Sequence, residues 1–326
     1  MMLYKFSSVF HNEFDGYIAL RASSGKTYKD EEYILADLDR FLIKTETTSK
    51  ILKEEILTNW FQSMNVKPTT KKRKAAVIRD LAKYLSSLGI EAFAPESPRG
   101  SYDYAPYIFS EDEFSRIIAV ADNLPTPSYI IGIQATAQMP FLVRLLFGCG
   151  LRLGEALSLC WNNVDVDAGT LSILYAKNKK QRIVPMSDSL TKLCAAYRRS
   201  GLCGSDDTDY LFGNREGNPY CQVWFRMLFS TIMKNADIEY TRSVKQERGP
   251  CLHCLRHLFV LRSFSKAEAN GRPLSDSVPY LSTYLGHNSV METDKYLKFS
   301  YEMYPDAHDA INDYTSGVFP RLEVSE

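Results

Sequence analysis

Apolar residues recur every three or four positions through most of the first hundred residues of the chain. This spacing is typical of amphipathic helices, and it predicts helices over residues 28–43, 48–64 and 71–88. Gly89 follows the third segment, where a glycine commonly ends a helix. The chain is therefore expected to begin with a small helical bundle.

Proline, glycine and serine are concentrated in residues 94–101, a composition that indicates an interdomain linker. Ser110 and Glu113 then have the spacing of a capping box, which predicts the start of a new helix. The length of the chain, 326 residues, also favours two domains. We place a helical domain at residues 1–96, the linker at 97–106 and a second domain at 107–326.

The second domain mixes helical and strand patterns. An apolar helix is predicted to end near Gly148, and a second helix to run over residues 152–161. Two short strands follow at 171–175 and 182–185, joined by a polar hairpin, and helices then continue to about residue 312. The expected fold class is mainly α with a small β-sheet (α+β).

The composition is that of an ordinary globular protein, with 45% hydrophobic and 24% charged residues. No apolar run approaches the ~20 residues of a membrane span, and the first residues lack the apolar core of a signal peptide. The seven cysteines do not have the dense spacing of a disulfide framework. We expect a cytoplasmic protein with no membrane contact.

The formal net charge of zero argues against a polyanionic partner, because proteins that neutralise phosphates are normally basic. Basic residues are nevertheless concentrated at 67–83 and again at 177–199. One such run alone is typical of a solvated helix face, but two runs in two domains favour a polyanion lying between them. The candidate contacts to it are Lys67, Lys71, Lys72, Arg73, Lys74, Arg79, Lys179, Lys180 and Arg182.

Two motifs have alternative interpretations. Cys251 and Cys254 form a C-x-x-C beside two histidines, which suits either a zinc site or a redox pair, but the second ligand pair of a structural zinc site is missing. The glycines around Gly150 approximate a dinucleotide fingerprint, yet they have one residue too many and follow a predicted helix rather than a strand. We expect neither a metal nor a cofactor.

The residues that carry chemistry are concentrated near the C-terminus. His253 and Arg256 are three apart in a segment that reads as helical, so both side chains are expected on one face. Three of the five histidines, His253, His257 and His287, lie in this region, and Tyr296 follows nine residues after His287. A single His-x-x-Arg is common on helix surfaces, but a His-x-x-Arg accompanied by two further histidines and this tyrosine is not.

This set resembles the catalytic boxes of the tyrosine recombinase (phage integrase) family. The resemblance covers roughly residues 109–300 in the family's order and spacing, while the N-terminal bundle is similar to the core-site DNA-binding domain only in type and position. It implies the shorter, Xer-like, two-domain architecture. The matching boxes are Gly150-Leu151-Arg152-x-x-Glu155, Lys177-x-x-Lys180-x-Arg182-x-x-Pro185, His253-x-Leu255-Arg256-His257, Leu285-Gly286-His287 and Tyr296.

The resemblance implies that Arg152 and Arg256 clamp the phosphate of a DNA strand. Planar, permanently protonated guanidinium groups suit an anion that gains charge on its oxygens during attack. Tyr296 is implied as the nucleophile that forms a 3′-phosphotyrosyl bond and frees a 5′-hydroxyl. Because a phenol ionises near pH ~10, cations and a base must assist the loss of its proton.

Lys177 corresponds to the hairpin lysine that protonates the departing 5′-oxygen, although Lys179 and Lys180 could do the same from one loop. The resemblance implies that His253 is an acid/base or phosphate donor and that His287 supports the phosphate. His257 is expected to be structural and to point away from the site, because it is adjacent to Arg256 on a helix. Glu155 is expected to brace the active-site cations.

The expected function is a site-specific DNA recombinase that acts in the integration or excision of a mobile genetic element. Its implied partners are double-stranded DNA with inverted-repeat core sites and three further copies of the chain, as a homotetramer on synapsed DNA. Without DNA we expect a monomer or weak oligomer. The segment 297–319 is expected to pack either on its own subunit or on a neighbour. The alternatives are a type IB topoisomerase and a non-catalytic DNA-binding accessory protein.

Overall fold

The computed structural model describes the chain in two compact units, Met1–Tyr104 and Ala105–Glu326. Most of the predicted linker and the whole segment after Tyr296 lie outside the described residues. The described residues are 4–24, 29–97, 106–125, 130–174, 181–204, 206–214, 216–241, 249–287, 289–290, 292–293 and 296, without the side chains of 130–133 and 274.

The first unit is the expected helical bundle. It contains α1 (His11–Ser23), α2 (Lys29–Lys44), α3 (Glu54–Ser63) and α4 (Pro68–Ser87). The buried side chains come from one stripe of each helix, and a stripe of this kind is what drives such helices together. They include Phe14, Leu35, Leu38, Trp60, Ile78 and Leu81.

Two features of this unit differ from the prediction. Helix α3 begins at Glu54, not at residue 48, because Leu52 forms a parallel bridge with Ala92 instead of a helical turn. The hydrogen bond from Phe93 to the carbonyl of Leu52, 2.8 Å, fixes this pairing. Helix α1 was not predicted, although the buried residues Phe14 and Ile18 have helical spacing.

The second unit is built around the apolar helix α6 (Ile130–Cys149), which contacts α5, α8, α9 and α10. The predicted capping box is confirmed, since Ser110 and Glu113 exchange side-chain and backbone hydrogen bonds at the start of α5. The remaining helices are α5 (Glu111–Asp122), α7 (Leu153–Leu157), α8 (Asp188–Arg199), α9 (Gln222–Asn235), α10 (Leu252–Ala269) and α11 (Leu274–Leu285).

A small antiparallel sheet follows α7. Its strands are β1 (Val164–Asp165), β2 (Thr170–Ile173) and β3 (Arg182–Pro185), in the order β1-β2-β3. The two predicted strands are confirmed as β2 and β3. The helix predicted over residues 152–161 is shorter than expected, because α7 ends at Leu157 and a 3₁₀ turn, Trp161–Asn163, leads into β1.

Two glycines bring three elements of the second unit close together. Gly150, before α7, has φ +59°, and a Cβ there would lie 2.4 Å from the ring of Phe259 on α10. Gly286 ends α11 in the left-handed conformation with φ +66°, and a Cβ there would lie 3.0 Å from Nη1 of Arg182. Only glycine allows this backbone conformation and this close approach together.

The mainly α fold with a small sheet, predicted from the sequence, is confirmed. None of the helices formed by the described residues is both long enough and apolar enough to cross a membrane.

Candidate active site

Glu155 is the centre of a buried cluster of charged side chains. Its carboxylate accepts hydrogen bonds from Nη1 of Arg152 at 2.8 Å and from both Nη atoms of Arg182 at 3.2 and 2.9 Å. Nη1 of Arg256 lies 3.8 Å away. Burial opposes ionisation of Glu155, but the hydrogen bonds and charges of Arg182 and Arg152 outweigh it and lower the pKa of Glu155 to about 2. The carboxylate is therefore ionised at neutral pH.

Arg256 is fixed by the main chain of two other elements. Its side chain is only 1% exposed, and it donates to the carbonyls of Gly150 at 2.7 Å and Leu285 at 2.9 Å. Burial, together with the neighbouring charge of Arg152, lowers the pKa of Arg256 to about 10, so the guanidinium remains protonated at neutral pH. Through these two hydrogen bonds, Arg256 links the loop before α7 to the end of α11.

Arg152 is the most accessible of the three arginines. It is the N-cap residue of α7, and its side chain is 22% exposed, compared with 9% for Arg182 and 1% for Arg256. Three guanidinium groups share one carboxylate, so the cluster keeps an excess of positive charge. Such an excess, with one arginine open to solvent, is suited to binding an anion.

His287 follows Gly286 and supports Arg256 from the side. Nη2 of Arg256 lies 3.1 Å from Nε2 of His287, and Nδ1 of the same ring lies 2.7 Å from Oγ1 of Thr293. Because a guanidinium can only donate, Nε2 is the unprotonated nitrogen and Nδ1–H donates to Thr293. Burial and the nearby arginines lower the pKa of His287 to about 3, so the imidazole is neutral at neutral pH.

Tyr296 lies beside this cluster and is 7% exposed. Its ring is 6.3 Å from that of His287 and nearly parallel to it, and it packs on apolar residues of α10 and α11 such as Val260 and Leu281. Burial raises the pKa of Tyr296, while the charge and a hydrogen bond of Arg256 act in the opposite direction. The balance is a raised pKa, so the phenol is protonated at neutral pH.

His257 corrects one expectation from the sequence. It was expected to point away from the site, but its buried ring lies 5.2 Å from Tyr296 and 4.7 Å from His253. Burial, with the charges of His253 and Arg256, lowers the pKa of His257 to about 3. The three rings form a continuous row from the exposed His253 to Tyr296.

Of the predicted catalytic residues, Arg152, Arg256, His287 and Tyr296 are therefore brought together, with His253 at the outer end of the row. Lys177 lies outside the described residues, as do Lys179, Lys180 and the segment 297–319. The role of Lys177 beside the arginine cluster therefore stays a prediction.

The basic residues of the N-terminal unit are concentrated on α4. Lys72 and Arg73 are exposed, Lys67, Lys71 and Arg79 are half-buried, and Arg79 also donates to the carbonyl of Pro95. Lys74 is the exception, because its side chain is buried against Trp60 and its ammonium is paired with Asp37. We therefore leave Lys74 out of the candidate DNA contacts.

Arg182 was also predicted to contact DNA, and the structure instead directs it into the cluster around Glu155. Side chains alternate along β3, so Arg182 lies on the same face as the buried Val184, and Ile183, which is 68% exposed, lies on the opposite face. The sequence signal was misleading here because a buried ion pair reverses the usual preference for apolar residues.

Comparisons with known proteins identify the family of this chain. The phage integrase family model matches residues 108–303. The chain is 27% identical to y4rB of Sinorhizobium fredii, named as an integrase/recombinase, over 92% of this chain and 96% of that protein. It is 23% identical to the tyrosine recombinase XerD of Vibrio cholerae over 77% of each chain.

Among solved structures, the fold is similar to that of a lambda integrase tetramer bound to a Holliday junction, with a TM-score of 0.63 and 14% identity. The match covers 88% of this chain and 76% of that one. Since the family model spans more than half of the chain and includes both arginine boxes and Tyr296, the chain belongs to the phage integrase family.

Proposed function

We propose that this tyrosine recombinase cuts and rejoins DNA at specific core sites through a 3′-phosphotyrosyl intermediate on Tyr296, in the integration or excision of a mobile element. The observation that carries the proposal is the position of a buried tyrosine beside an excess of guanidinium charge. Cleavage of a phosphodiester requires a cationic pocket for the phosphate and a nucleophile for its phosphorus atom. The arginine cluster and Tyr296 lie side by side and supply both.

In this mechanism Arg152 and Arg256 hold the non-bridging oxygens of the phosphate. Arg256 uses part of its donor capacity on the carbonyls of Gly150 and Leu285, so its plane is fixed before DNA arrives. Arg152, the more exposed of the two, binds the phosphate from its other side. Preorganised donors of this kind stabilise developing negative charge without reorganising during the reaction.

Tyr296 attacks the phosphorus atom, the bond to the 5′-oxygen breaks, and the phenolic proton passes to water. The raised pKa means that the phenol must lose this proton during the attack. Lys177 is the proposed donor of a proton to the departing 5′-oxygen, with Lys179 and Lys180 as competitors in the same hairpin. In the second half, a 5′-hydroxyl attacks the phosphotyrosine and restores the phenol.

The histidines have separate proposed roles. His253, exposed at the start of α10, acts on the phosphate as a donor or acid/base. The neutral His287 orients Arg256 through its Nε2 and is itself held by Thr293. Glu155 keeps the arginines from repelling one another.

For the partner, we propose double-stranded DNA with inverted-repeat core sites, contacted by the basic residues of α4. In the cell this would take place in the cytoplasm. We also propose a homotetramer on synapsed DNA and a monomer or weak oligomer without it, with residues 297–319 packed in cis or passed to a neighbour. The lambda integrase tetramer on a Holliday junction, which has a similar fold, supports this assembly.

The test is incubation with a nicked suicide substrate that contains the DNA flanking the gene of this protein. We expect a covalent protein–DNA adduct that survives denaturation. Tyr296→Phe should form none, while Tyr280→Phe, at an exposed tyrosine of α11, should form as much as the wild type. An adduct with Tyr296→Phe would overturn the nucleophile, and relaxation of supercoiled DNA without site preference would favour a topoisomerase.

A further inference from the structure

Two thiols lie at the first turn of α10, the helix that carries His253, Arg256 and His257. Cys251 is its N-cap residue and Cys254 is the third residue of the helix. The two Sγ atoms are 3.8 Å apart, and the backbone N–H of Cys251 donates to Sγ of Cys254 at 3.3 Å. Cys251 is half-buried and Cys254 is buried.

The mechanism proposed above makes no use of this pair. In the part of the chain that the structure describes, no group of three or more metal-binding side chains is arranged to hold an ion, so the cysteines are not half of a larger site there. A disulfide requires two sulfurs about 2.05 Å apart, which a small change in the first turn of α10 would bring about from the observed separation. C-x-x-C at a helix N-terminus is also the arrangement found in thiol–disulfide oxidoreductases.

We propose that Cys251 and Cys254 form a reversible dithiol–disulfide site, and that closing the disulfide switches off DNA cleavage by displacing His253. The first half stands on the two thiols alone, and the second half rests on the proposed function.

The oxidant is a low-molecular-weight disulfide of the glutathione type. The thiolate of Cys251 attacks one of its sulfurs, which forms a mixed disulfide and releases one thiol. The thiolate of Cys254 then attacks Sγ of Cys251, forms the internal disulfide and releases the second thiol. The protein loses two electrons and two protons, and the small disulfide gains them.

The order of attack follows from the surroundings of each thiol. Cys251 is the more accessible, and the N-terminus of α10 stabilises negative charge on it. The hydrogen bond with Cys251, and then burial, raise the pKa of Cys254, so this thiol keeps its proton while Cys251 is reduced. Cys254 therefore acts second, as the resolving thiol.

The consequence for the site follows from the sequence between the two thiols. His253 lies inside the loop that the disulfide would close, so the change in the first turn that brings the two sulfurs together is the step that displaces its ring. The row of rings from His253 through His257 to Tyr296 starts at this point. Reduction would restore the first turn and the position of His253.

The chemical test uses the full chain with Cys221→Ser, which removes the exposed thiol at the N-cap of α9. The protein is oxidised with glutathione disulfide, quenched in acid, alkylated and analysed by intact mass and peptide mapping. We expect the loss of two hydrogens, a peptide that links Cys251 to Cys254, and full reversal by dithiothreitol. Cys251→Ser and Cys254→Ser should not form this link. Two thiols that remain open to alkylation, or a link to another cysteine, would overturn the site.

The functional test measures the rate of adduct formation on the suicide substrate. Oxidation should slow it by at least about a hundredfold, the contribution of a positioned acid or base, and dithiothreitol should restore it. Cys251→Ser should cleave DNA at the rate of the reduced wild type, since serine is a good N-cap. The oxidant should not change this rate, because the variant cannot form the disulfide.

The outcomes separate the two proposals. Unchanged cleavage by protein whose disulfide has been verified by mass would overturn the switch and leave the dithiol site. Reduced protein that forms no adduct on its own sites would overturn the proposed function and with it the switch, while the mass measurement still decides whether the disulfide forms.

Discussion

Arg182 donates two hydrogen bonds to Glu155, at 3.2 and 2.9 Å, and so ties strand β3 to the helix that begins after Arg152. The carboxylate it holds also accepts from Arg152 and lies close to Arg256. The guanidinium of Arg182 further packs against Gly286, one residue before His287. Arg182 is thus a positioning residue for both arginines that are proposed to hold the phosphate.

Replacement of Arg182 by alanine should reduce cleavage strongly and lower the free energy of unfolding by about 3 kcal/mol, because a buried carboxylate loses its main partner. DNA affinity should change little, since the side chain is nearly buried. Adduct formation, urea unfolding and DNA binding would be measured together. Arg198→Ala, at an exposed ion pair with Asp207, is the control and should change none of them by much. Loss of DNA affinity with normal cleavage would instead support a surface role for Arg182.

Glu155 should make the stability of the second unit depend on acid pH. Its pKa falls from 4.5 to about 2 on folding, so its contribution is present above pH 4.5 and is lost as pH falls through 2. By linkage this contribution is on the order of 3 kcal/mol. Urea unfolding of the wild type and of Glu155→Gln should therefore differ most at neutral pH and converge as the pH approaches 2. A difference that stays constant from pH 7 to 3 would contradict the assigned pKa.

The main outline of the fold could be predicted from the sequence where apolar spacing and caps agree. The helix that starts at Glu111 is an example, because Ser110 and Glu113 specify its first turn locally. Helix α3 is the opposite case, since its start depends on the pairing of Leu52 with Ala92, forty residues away in sequence. Such a contact leaves no periodic signal in the segment itself.

The site shows the same limit. The boxes around Arg152, Arg256 and His287 were recognisable because their order along the chain is distinctive. The burial of Lys74 and Arg182 could not be recognised from the sequence. A basic residue in a basic run looks the same whether or not it has an acidic partner in the fold. The contact of His257 with Tyr296 depends in turn on how α10 packs against Tyr296, which is far from it in sequence.

His257 is expected to hold Tyr296 in place through its ring. His257→Ala would leave a cavity beside the tyrosine, and we expect cleavage to slow by about tenfold or more, since a misplaced nucleophile reacts more slowly. His257→Phe keeps an aromatic ring and should retain most of the activity, while DNA affinity should be unaffected in both variants. The measurement is the single-turnover rate of adduct formation at saturating protein. If His257→Phe is as slow as His257→Ala, the imidazole itself, not its packing, is required.

Lys74 and Lys72 provide a matched pair on α4, because they differ in burial and share their chemistry. Lys72→Ala should weaken DNA binding and reduce the slope of log affinity against log salt by about one, as expected for the loss of one phosphate contact. Lys74→Ala should leave that slope unchanged and instead destabilise the first unit by about 1–2 kcal/mol, since it removes the partner of Asp37 and a contact over the ring of Trp60. Fluorescence anisotropy across a salt series gives the slope, and urea unfolding followed by tryptophan fluorescence gives the stability. A reduced salt slope for Lys74→Ala with unchanged stability would return Lys74 to the DNA-binding face.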